Sequence, residues 1–393
     1  MSNRFNICII NEHPINENCG GVQTVSFLLK EKLEELGFNM YCFHLDHNAK
    51  NADNEFSLPD ATSINSRINF DFLYNKITSL DISVILFQGY IGELMELCVD
   101  IRKKKHVKLI YTYHRDPLAS LKEYDDYKDR ILNNAKTAFD RCLKRTIIEL
   151  KRPLFRYRCY RKIRRAMSKY DMEHIDAFVT LDEKYTDFIK SLYSVKYHHK
   201  FHTIINPIKI INGRQSFTKE KHILFLARHT YQKRLDRLLY IWKELYKKFP
   251  EWKLVVVGEG DFHLQYKAIA NSLKLENIEF TGKQPASQYY KKSCIICMTS
   301  SHEGLPMTLI EAQQYGCVPI AYNSFSSASK IIANNYNGIL IKPFKQRSYS
   351  HELQKLMKDE NKRAQMAENE REFIRRFDVN KIIKDWIQLF EKI

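Results

Sequence analysis

The chain has 393 residues, beyond the roughly 250–300 at which single cores stop growing, so two domains are expected. Hydrophobic residues make up 44%, which supplies ordinary cores and excludes a disordered chain. The formal net charge of +17 predicts attraction to polyanions: nucleic acid, anionic lipid or phosphorylated substrates.

The opening MSNRFNICIINEHP has one early Arg and a short apolar run ending at Asn11. It lacks the longer apolar core and small-residue cleavage site of a signal peptide and reads as a buried first strand. No apolar run approaches the roughly 18–20 residues of a membrane span, so a cytoplasmic protein is expected. Its nine cysteines are then reduced thiols serving as small apolar residues. Cys294 and Cys297 form a C-x-x-C, but no second ligand pair has zinc-site spacing, so no metal is expected.

NENCGG makes a Gly-containing loop, and VQTVSFLLKEKLEELG reads as an amphipathic helix ending at Gly37. NMYCFHL, ISVILFQG and VKLIYTYH read as strands, the last two separated by the helical IGELMELCVDIRKKK. His114 ends YTYH at a strand's carboxyl end. HIDAFVTLD and FHTIINPI follow as strands, the second ended by Pro207. Between them, Arg141 to Lys169 holds twelve Lys/Arg and one acid, Glu149. Leu143, Ile147, Leu150 and Leu154 recur there at helical spacing, and Pro153 is expected to break or kink the helix. Lys151, Arg152, Arg156, Arg158, Arg161, Lys162, Arg164 and Arg165, with interleaved aromatics, give the composition of a helix on an anionic membrane surface. A solvated, salt-bridged helix is the plainer reading.

The rhythm restarts after about residue 215. HILFLAR is a strand, RLDRLLYIWKELYKKF a helix, WKLVVVGEG a strand into a Gly loop, and NIEFTGK, CIICMTS and VPIAYN further strands. The tail from Glu360 is mainly helical. Strands alternating with helices predict an α/β architecture with parallel sheets. Two such series predict two doubly wound, Rossmann-like domains with a ligand cleft between them.

SHEGLPMTLIEA places Glu303 before Gly304, Leu305 and Pro306, with Glu311 eight positions on. Other glutamates share this spacing, such as Glu251/Glu259 and Glu352/Glu360. Only Glu303/Glu311 brackets a Gly-Leu-Pro helix start after a strand. The Gly304 and Leu305 amides suit an anionic oxygen, and the glutamates suit neutral hydroxyls. Sugar, diphosphate and ribose offer that chemistry in order; a capped surface helix with two solvated acids is the alternative. Arg228 and Lys233, in FLARHTYQKRLDRLL, are two cations at a strand-to-helix loop suited to a diphosphate. Gly258-x-Gly260 lacks the third glycine of a dinucleotide fingerprint and reads as a tight turn.

Taken together, LFLARHTYQKRLDRLL, LVVVGEGDFHLQYKAIANSLKLENIEFTGK, SHEGLPMTLIEAQQYGCVPIAYN and NNYNGILIKPF resemble the retaining glycosyltransferases of family four, with the GT-B fold. CGGVQ, YTYH and IINPI extend the likeness more loosely to the first half. The resemblance implies a first domain over 1–207 that contains the basic segment 141–169 and a nucleotide-sugar domain over 208–376. A last helix within 377–393 would cross back to the first domain. It implies Arg228 and Lys233 on the donor diphosphate, and Glu303 on the donor sugar beside the reacting centre. Gly304, Leu305 and Pro306 would meet sugar and phosphate, with Glu311 on the ribose. Gly21 would face the diphosphate, and His114 the donor sugar.

The implied reaction is sugar transfer with retention from a nucleotide sugar, UDP by family frequency, needing neither metal nor cofactor. The implied acceptor is a saccharide, and docking by the basic segment would suit a lipid-linked, lipopolysaccharide or capsule precursor at the inner face of the cytoplasmic membrane. The loop SFSSASKII departs from the family pattern, and Leu118 to Met172 matches no family motif. A nucleotide-sugar epimerase of the same fold is the nearest rival. A nucleic-acid-binding protein would explain the charge, but no nucleic-acid motif is present and no such partner is expected.

Overall fold

The computed structural model describes residues 5–17, 20–47, 53–90, 92–133, 137–211 and 217–393. Cys19 of the CGGVQ stretch lies outside them. The first half runs β1 (Asn6–Ile10), α1 (Gly21–Glu35), β2 (Asn39–His44), β3 (Glu55–Ser57), α2 (Arg67–Ser79), β4 (Ile82–Phe87), α3 (Gly92–Lys104) and β5 (Lys108–Tyr113). It continues through α4 (Ala119–Asn133), α5 (Ala138–Met167), β6 (Ala177–Thr180), α6 (Glu183–Lys190) and β7 (Phe201–Thr203). The second half runs β8 (Glu220–Leu226), α7 (Leu235–Leu245), β9 (Lys253–Val257), α8 (His263–Ser272), β10 (Ile278–Gly282), α9 (Ala286–Lys292) and β11 (Ser293–Met298). Then come α10 (Met307–Gln313), β12 (Val318–Tyr322), α11 (Ala328–Ile331), β13 (Ile339–Ile341), α12 (Gln346–Lys358), α13 (Glu360–Phe373) and α14 (Val379–Lys392).

The chain forms two compact units, one of 1–114, 164–209 and 377–393, the other of 115–163 and 210–376. The first holds a seven-stranded sheet in the order β3-β2-β1-β4-β5-β6-β7, the second a six-stranded sheet in the order β10-β9-β8-β11-β12-β13. Every neighbouring pair of strands is parallel. Parallel strands covered on both faces need continuous apolar runs. VPIAY of β12 is buried at every position, and ISVILF of β4 at all but one.

Helices cover these faces with amphipathic stripes. α7 turns Leu235, Leu238, Leu239, Ile241, Trp242 and Leu245 inward, onto a core shared with Trp252 and Tyr349. Each such side chain contributes roughly 1.5–3 kcal/mol. α14 buries Val379, Ile382, Ile383, Trp386, Leu389 and Phe390. It is tied to the first unit where Ile208 N–H donates to Phe377 O at 2.7 Å and Val379 N–H to Ile208 O at 2.9 Å. The Phe390 ring meets Phe38 edge-on at 6.5 Å.

Two features differ from the sequence reading. Residues 115–163, including most of the basic segment, group with the second unit, because α4 bonds to the loops that follow β8 and β11. Pro153 does not break its helix, since α5 runs through it for 30 residues. The lost bond and ring clash cost about 3 kcal/mol. Packing on both sides of the proline opposes that cost: Ile148, Cys159, Ile163 and Met167 are buried, and Phe155 stacks on Tyr124 at 3.8 Å.

Candidate functional site

In the second unit the chain winds outward from β8 through β9 to β10, then returns to β11 on the other side of β8. The loops after β8 and β11 therefore leave adjacent strands at the topological switch point, where open α/β sheets bind ligands. They are joined by hydrogen bonds. Ser301 N–H donates to Gln232 O at 2.9 Å, and the Thr299 hydroxyl to Arg234 O at 2.8 Å. This brings Lys233 and Glu303 together, with Nζ 2.7 Å from Oε1. The Gln232 amide donates to Glu303 Oε2 at 3.3 Å and to His302 O at 2.7 Å. Glu303 is only 5% exposed, and the Lys233 side chain 21%. The pair is thus partly shielded from solvent, so its charge interactions outweigh those in bulk water.

Arg228 stands exposed just after β8 and forms no ion pair among the described residues. Its loop rests on the Gly258–Gly260 turn, where His229 N–H donates to Glu259 O at 2.7 Å and Phe262 N–H to His229 O at 3.0 Å. Gly258 has φ +126, and a β-carbon there would lie 2.0 Å from Ala227 O. The glycines therefore do more than turn the chain: they let two backbones touch beneath Arg228. His229 is fully buried and pairs ring to ring with His263, Nδ1 to Nδ1 at 2.9 Å. Burial, aided by His263, lowers His229 to about 4.

The helix expected near Pro306 begins at Met307, with Pro306 as its cap. It has seven residues, too short for its dipole to matter much. What its start offers is free donors: the Gly304 and Leu305 N–H groups have no acceptor among the described residues. The Gly304 carbonyl is held by the Ser327 hydroxyl at 2.6 Å. Glu311 is partly buried and accepts from the Tyr290 hydroxyl at 2.9 Å. Burial pushes its carboxyl up, and the tyrosine offsets part of that.

Gly21 and His114 belong to the first unit. Its switch point lies between β1 and β4, with the loop to α1 after β1. Gly21 is the exposed first residue of α1, capped by Gly20 at φ 119 with no acid in its first turn. His114 follows β5, is 7% exposed, and has Nε2 2.5 Å from Gln88 Oε1. Burial lowers it to about 3, so the ring is neutral near pH 7. Its Nδ1, Gln88 Nε2 and Asn11 Oδ1 are buried without hydrogen-bond partners among the described residues. These groups stand at the carboxyl ends of three adjacent strands and could serve a polar ligand.

On α5, Lys151, Arg156, Arg158, Arg161, Lys162, Arg164 and Arg165 are exposed, while Arg152 is half-buried and pairs with Glu149 at 3.3 Å. Leu143, Ile147, Leu150, Leu154 and Tyr157 are exposed among them. Among the described residues no helix is long and apolar enough to cross a membrane. Cys294 and Cys297 carry free thiols, and no group of three His, Cys, Asp or Glu among the described residues could hold a metal ion.

Sequence reasoning missed Gln232, Thr299, Ser301, Gln88 and Tyr290, the groups that aim the recognised ones. Gln232 sits beside Lys233 and could have been suspected; Gln88 and Tyr290 act across 26 and 21 residues and leave no local signal.

Residues 208–373 match the family described as glycosyl transferases group 1. The amylovoran biosynthesis glycosyltransferase AmsD of Erwinia amylovora is 31% identical over 173 residues, 43% of this chain and 47% of that protein. The GalNAc-alpha-(1->4)-GalNAc-alpha-(1->3)-diNAcBac-PP-undecaprenol alpha-1,4-N-acetyl-D-galactosaminyltransferase of Campylobacter jejuni is 25% identical over 209 residues, 51% of this chain and 57% of that protein. The chain thus spans about half the length of these curated relatives. The crystal structure of a mutant of S. aureus TarM, in complex with fondaparinux, alpha-GlcNAc-glycerol and UDP, superposes with a TM-score of 0.72 at 13% identity. That match covers 98% of this chain and 99% of that one. At that identity the likeness establishes the fold, which is GT-B.

Proposed function

We propose that this GT-B chain, with its glycosyl transferases group 1 segment, moves a sugar from a UDP-sugar to a saccharide acceptor with retention at the anomeric carbon. The observation that carries this reading is the Lys233–Glu303 pair at the switch point of the second sheet. In transfer, the bond between the anomeric carbon and the diphosphate oxygen breaks, and the acceptor oxygen bonds to that carbon from the same face. The acceptor proton passes to the leaving diphosphate. Charge accumulates on phosphate oxygens, where pre-set donors lower the barrier most. Lys233, Arg228 and the free N–H groups of Gly304 and Leu305 supply those donors without a divalent ion. Glu303 accepts from donor-sugar hydroxyls and Glu311 from the ribose.

The acceptor we favour is a lipid-linked polysaccharide precursor at the inner face of the cytoplasmic membrane. The names of the Erwinia and Campylobacter relatives support this acceptor, as does the exposed cationic and apolar surface of α5.

The test is a thermal-shift panel of nucleoside diphosphates and their sugars, followed by product analysis. UDP should raise the apparent stability by mass action, and EDTA should leave transfer unchanged. NMR of the product should show the donor's anomeric configuration retained. Isomerised sugar formed from donor alone would instead identify an epimerase. A protein that no nucleoside diphosphate stabilises would overturn the reading.

A further inference from the structure

We infer that Asp126, on α4, is a positioning residue for the loop that carries Lys233. The inference rests on the donor site proposed above. Asp126 is fully buried and shared between two guanidinium groups. Its Oδ2 accepts from Arg234 Nη1 and its Oδ1 from Arg237 Nη2, and the Tyr231 hydroxyl lies 3.4 Å from Oδ2. Arg234 directly follows Lys233 and has φ 50, in the left-handed region. Glycine is the default residue there, and a side chain costs roughly 1–2 kcal/mol. Arginine at this position gains a tether. One edge of its guanidinium takes Asp126; Nε and Nη2 take Asp236 at 2.9 and 2.7 Å.

From the opposite side, the Thr299 hydroxyl holds the carbonyls of Lys233 and Arg234 at 3.3 and 2.8 Å. The backbone at Lys233 is therefore fixed both by the loop after β11 and, through Arg234, by α4. One turn earlier on α4, Glu123 Oε1 lies 3.2 Å from His302 Nε2, next to Glu303. Residues three apart share a helix face, so one face of α4 reaches both loops. A simple anchor for α4 would need only Arg237 on the body of α7. Instead the carboxylate is split between α7 and the residue that aims Lys233.

The experiment compares wild type, Asp126→Asn and Asp126→Asn/Arg237→Leu by calorimetric titration with UDP, thermal unfolding and transfer kinetics. The double variant also removes Arg237, the buried cation on α7 whose charge Asp126 balances. We expect the UDP Kd and donor KM to rise about tenfold or more in both variants, with acceptor KM unchanged. The double variant should regain thermal stability but not UDP affinity. A Kd within about twofold of wild type in a folded variant, or affinity that returns together with stability, would overturn the inference. Hydrogen exchange on the wild type needs no variant. UDP should slow exchange in 231–237 and in 122–128 together; protection of the first without the second would overturn it. Wild type that shows no UDP response in any segment would instead remove the donor reading itself.

Discussion

Lys233 and Glu303 form a partly shielded ion pair at 2.7 Å, and Gln232 holds the second carboxylate oxygen at 3.3 Å. The ammonium keeps two further N–H donors after meeting Glu303, so it can serve a phosphate without leaving its partner. Lys233→Ala and Glu303→Ala are therefore expected to abolish transfer, losing about a hundredfold or more in kcat, with the fold retained. Lys233→Arg should recover little, because the planar fork does not replace a point charge in this geometry. Transfer assays alongside circular dichroism decide it: wild-type rates in both alanine variants would end the assignment.

Gly258 supports Arg228 through backbone contact alone. Its φ of +126 and the 2.0 Å approach of a β-carbon to Ala227 O leave no room for a side chain. Gly258→Ala should destabilise the protein by more than about 1 kcal/mol and weaken UDP binding, because the loop after β8 must shift. Urea unfolding and UDP titration measure both; unchanged values would show that the loop yields at no cost.

These residues show how far the sequence could be read. Arg228, Lys233, Glu303 and the Gly-Leu-Pro start were legible because each loop carries its motif within a few residues after a strand. Gly258 and Gly260 were visible as a turn, but their role depends on a loop some 30 residues away in the chain. Asp126 was illegible: its partners Arg234 and Arg237 lie 108 and 111 positions away, and nothing local marks it among the acids of α4. Pro153 misled, since local propensity predicts a break that packing on both sides overrides. The small strand β3 and helix α6 escaped notice because three and eight residues carry too little periodicity.

His114 and His229 set a pH dependence with a definite sign. Burial lowers them to about 3 and about 4. Unfolded, each titrates near 6.5, so between these values the unfolded chain binds more protons and stability falls as pH drops. The slope approaches about 1.4 kcal/mol per pH unit for each histidine. His114→Gln should flatten the loss measured by chemical denaturation between about pH 6.5 and 4. The transfer rate should show no inflection from His114 in the same range. A slope unchanged by the substitution would refute the buried neutral ring.

Glu370, on α13, has the opposite sign. It is fully buried, and neither carboxylate oxygen has a hydrogen-bond partner among the described residues. Burial pushes the carboxyl well above its usual range, against the pull of Lys219 and Arg371. The folded state then binds the extra proton above about pH 4.3, and stability falls as pH rises through the window. Glu370→Met should stabilise the protein by about 1–3 kcal/mol at neutral pH, with the gain fading near the unfolded value. A methionine variant less stable than wild type at neutral pH would mean that the carboxylate has a role in the fold.

The exposed stripe of α5 discriminates between two occupants. Leu143, Leu150 and Tyr157 recur every seven residues, as do Ile147 and Leu154, which is the spacing of a helix seam. A second copy would bring Lys144, Lys151 and Arg158, beside that seam, against the same charges. An anionic lipid surface would attract them, at about 1 kcal/mol per cation. Replacing Lys151, Arg158 and Arg161 together with Glu should therefore weaken binding to phosphatidylglycerol vesicles by about a hundredfold or more, while zwitterionic vesicles bind neither protein. Binding should also weaken as salt screens the surface. Flotation at low and high salt reads the outcome. Self-association at low salt without flotation on anionic vesicles would reassign the stripe to a second copy of the chain, because apolar burial would then have overcome the like charges along the seam.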